Sequence, residues 1–408
     1  MDTTVDVVIA GGGLNGTALA VALASANMRV ALVEPRSVVT RGDGAFDGRS
    51  YALSLGSQRL LKALGLWDGV AEAAQPILDI KITDGNVGKP PSPMVLEFDH
   101  AEIEEGPMGY MVEDRFLRLV LLDAVAGSDL ITARDGVTVV AHEPTGSGVM
   151  VTLSDGQTLG AKLLVGCDGK TSATADRAGI RRQGWSYGQT SLVCAIEHER
   201  PHQGCAHQYF LPSGPLAILP LTGNRSSIVW TETDANAAKI NGGDDESYLA
   251  ALRPRFGDFL GEIALAGVRF TYPLSLSLAE RFVAERVALV GDAAHAVHPI
   301  AGQGLNAGLK DVAALAEVLS DARRRGEDPG RVDVLERYQR WRRFDTATLA
   351  VATDTFNRLF SNDNPILRFG RDLGLGLVNK LPLARRSFIR EAAGLTGDVP
   401  KLSRGLPL

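Results

Sequence analysis

Residues 5–16 read Val5-Asp6-Val7-Val8-Ile9-Ala10-Gly11-Gly12-Gly13-Leu14-Asn15-Gly16, and this stretch decides the fold. Residues 5–10 form a short run rich in β-branched side chains, which by length and composition is a buried strand. The glycines satisfy G-x-G-x-x-G, and residues 17–25 then carry the small helix formers of a helix packed close to its strand. In such a turn Gly11 permits the tight bend, Gly13 lets backbone approach a pyrophosphate, and Gly16 lets helix and strand touch. The helix N-terminus attracts the phosphate charge. Residues 29–33 supply a second buried strand ending at Glu34, 23 residues after Gly11. A carboxylate at that tip can accept hydrogen bonds from ribose hydroxyls. Together these elements make a βαβ unit of about 30 residues, the building block of a parallel sheet. The hexapeptide alone does not separate FAD from NAD.

Working outward, the chain's 408 residues call for about two domains. Hydrophobic residues at 45% and charged residues at 22% are ordinary for a soluble globular protein. A net charge of -6 and the lack of a basic block give no general attraction to nucleic acid. The opening residues lead straight into a strand with no basic n-region, so a secretory signal is not expected. No apolar run approaches the roughly 18 residues of a membrane span. Cys167, Cys194 and Cys205 have neither disulfide-framework nor zinc spacing and read as reduced thiols in a cytoplasmic protein. Cys205 and His207 alone do not make a metal site, and no metal is expected.

Leu53, Leu60, Leu61 and Leu64 predict a helix within residues 49–67, stopping near Gly65, and residues 116–125 predict another. Short alternating runs with Gly and Pro clusters at 77–98, and further runs from 181 to 272, predict an antiparallel sheet inserted into the first fold. A dinucleotide-type strand resumes at 286–291, and the remainder reads as mostly helical. The expected architecture is therefore α/β: a Rossmann-like FAD-binding domain (1–76, 99–180 and 273–350), an inserted antiparallel-sheet substrate domain (77–98 and 181–272), and a helical C-terminal segment (351–408).

Two later segments point to a flavin. Leu163-Leu164-Val165-Gly166-Cys167-Asp168-Gly169 is a strand ending in Asp-Gly. Arg286-Val287-Ala288-Leu289-Val290-Gly291-Asp292 is a strand that delivers Asp292 to its carboxyl end, where it could bond a ribityl chain. Pro299-Ile300-Ala301-Gly302-Gln303-Gly304-Leu305-Asn306 then opens a long helix whose N-terminal amides could face an anionic reduced flavin. These three segments resemble the dinucleotide fingerprint, Asp-Gly motif and Gly-Asp motif of the class A flavoprotein monooxygenases, the group that includes para-hydroxybenzoate hydroxylase. Phe46-Asp47-Gly48-Arg49-Ser50-Tyr51-Ala52-Leu53-Ser54, Ser213-Gly214-Pro215-Leu216, His298 through Asn306, and the tail from Phe360 to Leu395 are similar to the ubiquinone-biosynthesis hydroxylase subfamily. The likeness covers nearly the whole chain.

The resemblance implies site residues. Gly11, Gly13 and Gly16 would hold the FAD pyrophosphate and Glu34 the adenosine ribose, with Arg49 and Arg115 near the pyrophosphate and ribityl chain. Asp168 would serve FAD and a transient NADPH or NADH, Asp292 the ribityl region, and Gly302, Gly304, Leu305 and Asn306 the isoalloxazine. The family often has Arg three residues after the Ser of its Asp-Gly motif, where this chain has Ala175, with Arg177 nearest. That departure bears on nicotinamide docking and not on FAD. The resemblance also implies a mechanism in which NAD(P)H reduces the flavin, O2 adds to give a C4a-hydroperoxide, and an electron-rich phenol takes the distal oxygen.

His295, His298 and Pro299 lie in the flavin-side loop as catalytic candidates, though a loop-shaping role through hydrogen bonds is favoured for the histidines. His207 and Tyr209 alternate on one strand and, with Leu216, are candidates for the substrate pocket. Residues 366–391 carry six basic and two acidic side chains among apolar ones. Such a segment either lies on anionic lipid at the inner face of the membrane or packs on the flavin domain. The expected activity is hydroxylation of a polyprenylated phenol in ubiquinone biosynthesis, with a biosynthetic complex as a partner by resemblance. The alternatives are a flavin-dependent isoprenoid reductase or epoxidase, and a non-catalytic flavin-binding scaffold.

Overall fold

The computed structural model describes residues 3–85, 87–88, 95–103, 105–297, 302–360 and 382–408. Its first sheet starts with the expected unit: β1 (Thr3–Ala10), α1 (Leu14–Ser25) and β2 (Val30–Glu34). Val7, Val8 and Ile9 of β1 are wholly buried, which is why the strand reads as a continuous apolar run and not an alternating one. α1 is likewise buried almost all round by small residues, including Gly16, Ala18 and Ala20. Its neighbours are α4 (Asp114–Ala126) and α8 (Gln303–Arg324).

Parallel neighbours extend the sheet in the order β18 (Val287–Leu289), β11 (Thr158–Gly166), β1, β2 and β8 (Ile131–Asp135). β17 (Val283–Ala284) closes one edge, while β9 (Val139–Thr145) and β10 (Gly148–Leu153) fold antiparallel onto β11. α9 (Val332–Phe360) packs beside α8, and Leu315, Leu319, Leu335 and Tyr338 join the main core. A short helix, α2 (Val38–Arg41), follows β2, and α5 (Ala173–Arg177) follows the Asp-Gly segment.

The second sheet runs β19 (His295–Ala296), β16 (Ile263–Ala279), β12 (Arg182–His198), β15 (Arg225–Thr233), β14 (Gly214–Leu221), β13 (Cys205–Leu211), β5 (Asp79–Asp84) and β6 (Val95–Asp99). It was expected to be antiparallel; β13 and β5 instead pair parallel. Position 273, expected to mark the return to the first domain, lies inside the continuous strand β16.

One face of this sheet is covered by α6 (Asp234–Asn241) and α7 (Asp245–Phe256), two helices missed in the sheet-only reading of residues 181–272. The opposite face meets a three-stranded sheet of β3 (Ser50–Ser54), β7 (Gly109–Glu113) and β4 (Gln75–Ile77), together with α3 (Leu55–Ala63). The helix expected within 49–67 is thus split. Residues 50–54 pair with β7, and the ladder gained there outweighs local helical periodicity. Ser54 then caps α3, its hydroxyl accepting from Ser57 N at 3.2 Å.

The last helix, α10 (Pro382–Ala392), inserts Ile389 against the same region, and Gly56 N donates to Ala393 O at 3.0 Å. Arg385 and Arg390 pair with Glu102 and Glu105 of the protein body. For this described part of the 366–391 segment, packing on the body is what is observed; residues 366–381 lie outside the described residues.

Candidate active site

The four strands β18, β11, β1 and β2 stop together, and their carboxyl ends carry Gly291-Asp292, Cys167-Asp168, Gly11-Gly12-Gly13 and Glu34. Backbone bonds lock the line: Gly11 N donates to Val33 O at 2.8 Å, Cys167 N to Ala10 O at 2.7 Å, and Val290 N to Gly166 O at 3.0 Å. Three segments distant in sequence thus meet along one sheet edge, where ligands of open parallel sheets bind.

The glycines divide by what a side chain would strike. A methyl on Gly16 would come within 1.9 Å of Gly11 O, and one on Gly11 within 2.4 Å of Cys167 O, so protein packing alone requires both. At Gly13 it would meet nothing within 4 Å. Gly13 is exposed and caps α1, whose first turn has no side-chain cap and no acidic residue. The space kept clear there faces a helix N-terminus with unclaimed N–H groups, which suits a pyrophosphate. Gly304 in the first turn of α8 is also clear, and Gly302 caps that 22-residue helix at φ 64 with no side-chain cap.

Glu34 is buried and accepts from Gly12 N at 2.7 Å and from Arg36 Nε at 2.8 Å. Burial would raise its carboxyl, but the Arg36 and Gly12 bonds outweigh that and hold it below its usual range. It therefore stays an anionic acceptor. Arg41 is buried beneath the same loop, reaching Gly12 O at 3.3 Å and pairing with Asp135. Nothing in the local sequence marked Arg41, because its partners lie 29 and 94 residues away.

Asp168 accepts from Thr174 N at 2.9 Å and from the Ser172 hydroxyl, which fixes the turn into α5. Asp292 differs: among the described residues nothing hydrogen-bonds its carboxylate. It can be reached by water yet is ringed by protein, and that crowding raises its carboxyl above the ordinary range, with His295 and Lys170 opposing. A carboxylate placed so at a strand end can accept hydrogen bonds from hydroxyl donors.

His295 is buried, and its Nε2 lies 2.6 Å from Asp311 Oδ2, which also accepts from Gly291 N at 2.9 Å. Asp311 Oδ1 takes Arg342 Nε at 2.7 Å. Burial would raise the Asp311 carboxyl, but His295 and Arg342 hold it down. His295 is thus held inside the protein by Asp311. His298 and Pro299 lie outside the described residues. Asn306 is a clamp: its Oδ1 accepts from Ser54 N at 2.9 Å and Ser57 Oγ at 2.7 Å, and its Nδ2 donates to Ala52 O at 2.8 Å and Gly302 O at 3.1 Å. With its amide so engaged, Asn306 ties the start of α8 to β3; the neighbouring Leu305 is half-buried against the main core. Asn15 fills the gap between the Gly-Asp turn and α8; methyls on Gly291 or Gly308 would approach its Nδ2 to 2.4 or 2.3 Å.

Arg49 pairs with Asp47 at 2.7 Å and Asp114 at 3.3 Å. Arg115 and Arg225 grip buried Glu113 at 2.8 and 2.7 Å, and both lie over the Phe46 ring, at 5.3 and 4.9 Å from its centroid. Both expected arginines therefore brace residues 46–49, the loop leading into β3. The three pocket candidates do not face this site. Leu216 is in the core beneath α6 and α7, Tyr209 packs against that core, and the His207 ring sits 4.6 Å from that of Phe259. Alternation puts His207 and Tyr209 on one face of β13, and Leu216 pairs with Tyr209; with both faces of the sheet covered, alternation could not say which face they share. Ala195, Ala206 and Leu221 point the other way, toward β3, β4 and β7.

The FAD binding domain family model matches residues 4–352. The chain belongs to the FAD-dependent monooxygenases. Over its full length it is 45% identical to the ubiquinone hydroxylase UbiL of Rhodospirillum rubrum, covering 94% of that protein. It is 34% identical to the 3-demethoxyubiquinol 3-hydroxylase of Escherichia coli, with 96% of this chain and 98% of the other aligned. The p-nitrophenol 4-monooxygenase PnpA of Pseudomonas putida has the same fold, with a TM-score of 0.80, 20% identity, and coverage of 98% and 100%. The match to the FAD binding domain spans the segments that carry both open helix N-termini.

Proposed function

We propose that the protein is an NAD(P)H- and O2-using aromatic ring hydroxylase acting on a polyprenylated phenol in ubiquinone biosynthesis. The observation that carries this reading is the meeting of the Gly11–Gly13 turn, Asp168 and Asp292 at the carboxyl ends of neighbouring strands, in a chain similar end to end to a protein named a ubiquinone hydroxylase. FAD, once reduced, would supply oxygen activation; the residues here supply grip, orientation and exclusion of water.

In this reading the α1 N-terminus and Gly13 hold the pyrophosphate, with Gly11 and Gly16 shaping the turn. Glu34 accepts from the adenosine ribose, and Asp292 from the ribityl hydroxyls. The open α8 N-terminus at Gly302, Gly304 and Leu305 favours negative charge on the ring system. Asn306 and His295 act as positioning residues, one holding the start of α8 and the other bracing the Gly-Asp turn through Asp311. Arg49 and Arg115 keep the 46–49 loop closed over the site's edge, and Asp168 sets the turn where nicotinamide would visit. The phenol ring would lie between that edge and the Ala195 face of the second sheet.

Turnover under heavy-isotope O2 tests the reaction: one labelled oxygen should appear on the phenol ring. Reduction or epoxidation of the isoprenoid, with no ring oxygen, would overturn it in favour of the alternative enzyme class. A protein that binds FAD but does not accept electrons from NAD(P)H would be the scaffold.

A further inference from the structure

The face of the second sheet that carries Ala195 is closed in two rows and open in the row between them. Pairing register sets Phe270, Val193, Val229, Ala217 and Gln208 side by side across β16, β12, β15, β14 and β13. All five are half-buried, although β12, β15 and β14 lie in the interior of the sheet. On one side Ala195, Ser227 and Ala206 are at most 3% exposed, and on the other Ser191 and Thr231 are at most 2%. Rows on one face repeat about 7 Å apart, and strands lie about 4.8 Å apart. The open row is therefore the floor of a largely apolar slot roughly 7 Å wide and about 19 Å long, room for a planar ring.

Two contacts tie this slot to the flavin-side edge. At one end Arg49, the residue before β3, lies 5.6 Å from the centroid of the Phe270 ring. Along one side, Ala195 and Ala206 share a core cluster with Ala52 of β3. The Ala52 side chain in turn stands 3.0 Å from where a methyl on Gly302, the cap of α8, would sit. The slot therefore lies one row from the cluster that reaches the open α8 N-terminus. Along its other side, Ser191 and Thr231 are direct cross-strand partners, and neither hydroxyl has a hydrogen-bond partner among the described residues. Buried hydroxyls are nearly always bonded. Because neither makes a bond, turning it about χ1 toward the slot forfeits none. A ring lying on the apolar floor, with an oxygen substituent at its rim, would satisfy them.

We propose that Ser191 and Thr231 are specificity-determining residues that select an aromatic ring bearing a hydroxyl or methoxy group. Val193, Val229 and Ala217 form the bed on which that ring lies. The substrate's identity rests on the phenol-hydroxylase reading above; the preference for an oxygen-bearing ring can be tested without it. The two hydroxyls then act in recognition and take no part in the oxygen transfer, since each can donate to and accept from a ring oxygen.

The test uses the flavin-loaded enzyme without a reductant and two small probes, 2-methoxyphenol and toluene, with binding read from the flavin absorbance spectrum. Wild type should bind 2-methoxyphenol more tightly than toluene. Thr231→Val and Ser191→Ala should each cut that preference at least threefold. The Thr231→Val apoprotein, which keeps the side chain's shape and loses an unpaired hydroxyl, should unfold at equal or higher urea. Ala217→Phe, whose ring would fill the slot, should weaken both probes at least tenfold while keeping full flavin content. A wild type that does not bind 2-methoxyphenol, or a preference unchanged in Thr231→Val and Ser191→Ala, would overturn the proposal. So would a Thr231→Val apoprotein that unfolds at lower urea, or equal binding by Ala217→Phe. If the probes behave as described while a polyprenyl phenol gains no oxygen, the slot stands and the reading of the reaction fails. If the phenol gains oxygen while the probe preference is untouched by the variants, the slot alone fails.

Discussion

Gly13→Ala separates what the protein's packing requires from what its cofactor requires. Gly13 has φ −69 and ψ −176, a conformation open to any residue, and an added methyl meets no protein atom within 4 Å. Apoprotein stability should therefore hold or rise, since Gly→Ala at a compatible site stabilises by about 0.4–1 kcal/mol. The methyl would, however, project into the space that the α1 amides offer to a pyrophosphate. Losing one charge-assisted bond there costs roughly 1.5–3 kcal/mol, which is about 10- to 150-fold in FAD affinity. Gly16→Ala is the contrast: its methyl would sit 1.9 Å from Gly11 O, so the apoprotein itself should lose about 1–3 kcal/mol. Urea unfolding of the apoprotein and titration with FAD give the two numbers for each variant. The reasoning is refuted if Gly13→Ala binds FAD within twofold of wild type, or if its apoprotein is destabilised by more than about 1 kcal/mol.

Other outcomes follow from the same geometry. Asp292→Ala should purify with much less FAD, whereas His295→Ala should keep it while losing about 1–3 kcal/mol of stability; absorbance of purified protein and thermal melts check both. Asp311→Asn turns an acceptor of three donors into a partial donor, and should cost about 3–5 kcal/mol in urea unfolding. His207 is held neutral by burial, with its pKa lowered from 6.5 to about 4. Between those values the unfolded chain binds the proton and the folded chain does not. Stability should fall as pH drops from 6.5 toward 4, by roughly 3 kcal/mol at most, and His207→Leu should flatten that part of the pH profile.

The first βαβ unit could be read from sequence because each of its signals is local: a buried apolar strand, glycines at fixed spacing, and a carboxylate on the next strand. Asp168 and Asp292 were equally legible as strand-end carboxylates. Residues 50–54 were misread as helix because Leu53 fits the spacing of Leu60, Leu61 and Leu64, and only pairing with β7 reveals the strand. α7 was missed although Asp244 caps it and Tyr248, Leu252 and Phe256 recur every fourth residue; Pro254 within it masks the pattern. The His295–Asp311–Arg342 network spans 47 positions and leaves no periodic trace, so only the packing of α8 and α9 exposes it. The packing of His207 and Tyr209 on the α6–α7 side was illegible for a similar reason, since alternation fixes sidedness only relative to a known neighbour.

The most direct test of the central claim is the visible spectrum of the purified protein, followed in air through addition of NADPH and then a polyprenyl phenol. The account predicts flavin bands that bleach with NADPH and recover, with a product one oxygen heavier on its ring. A protein without flavin bands, or one whose flavin cycles while the phenol stays unchanged, would contradict it.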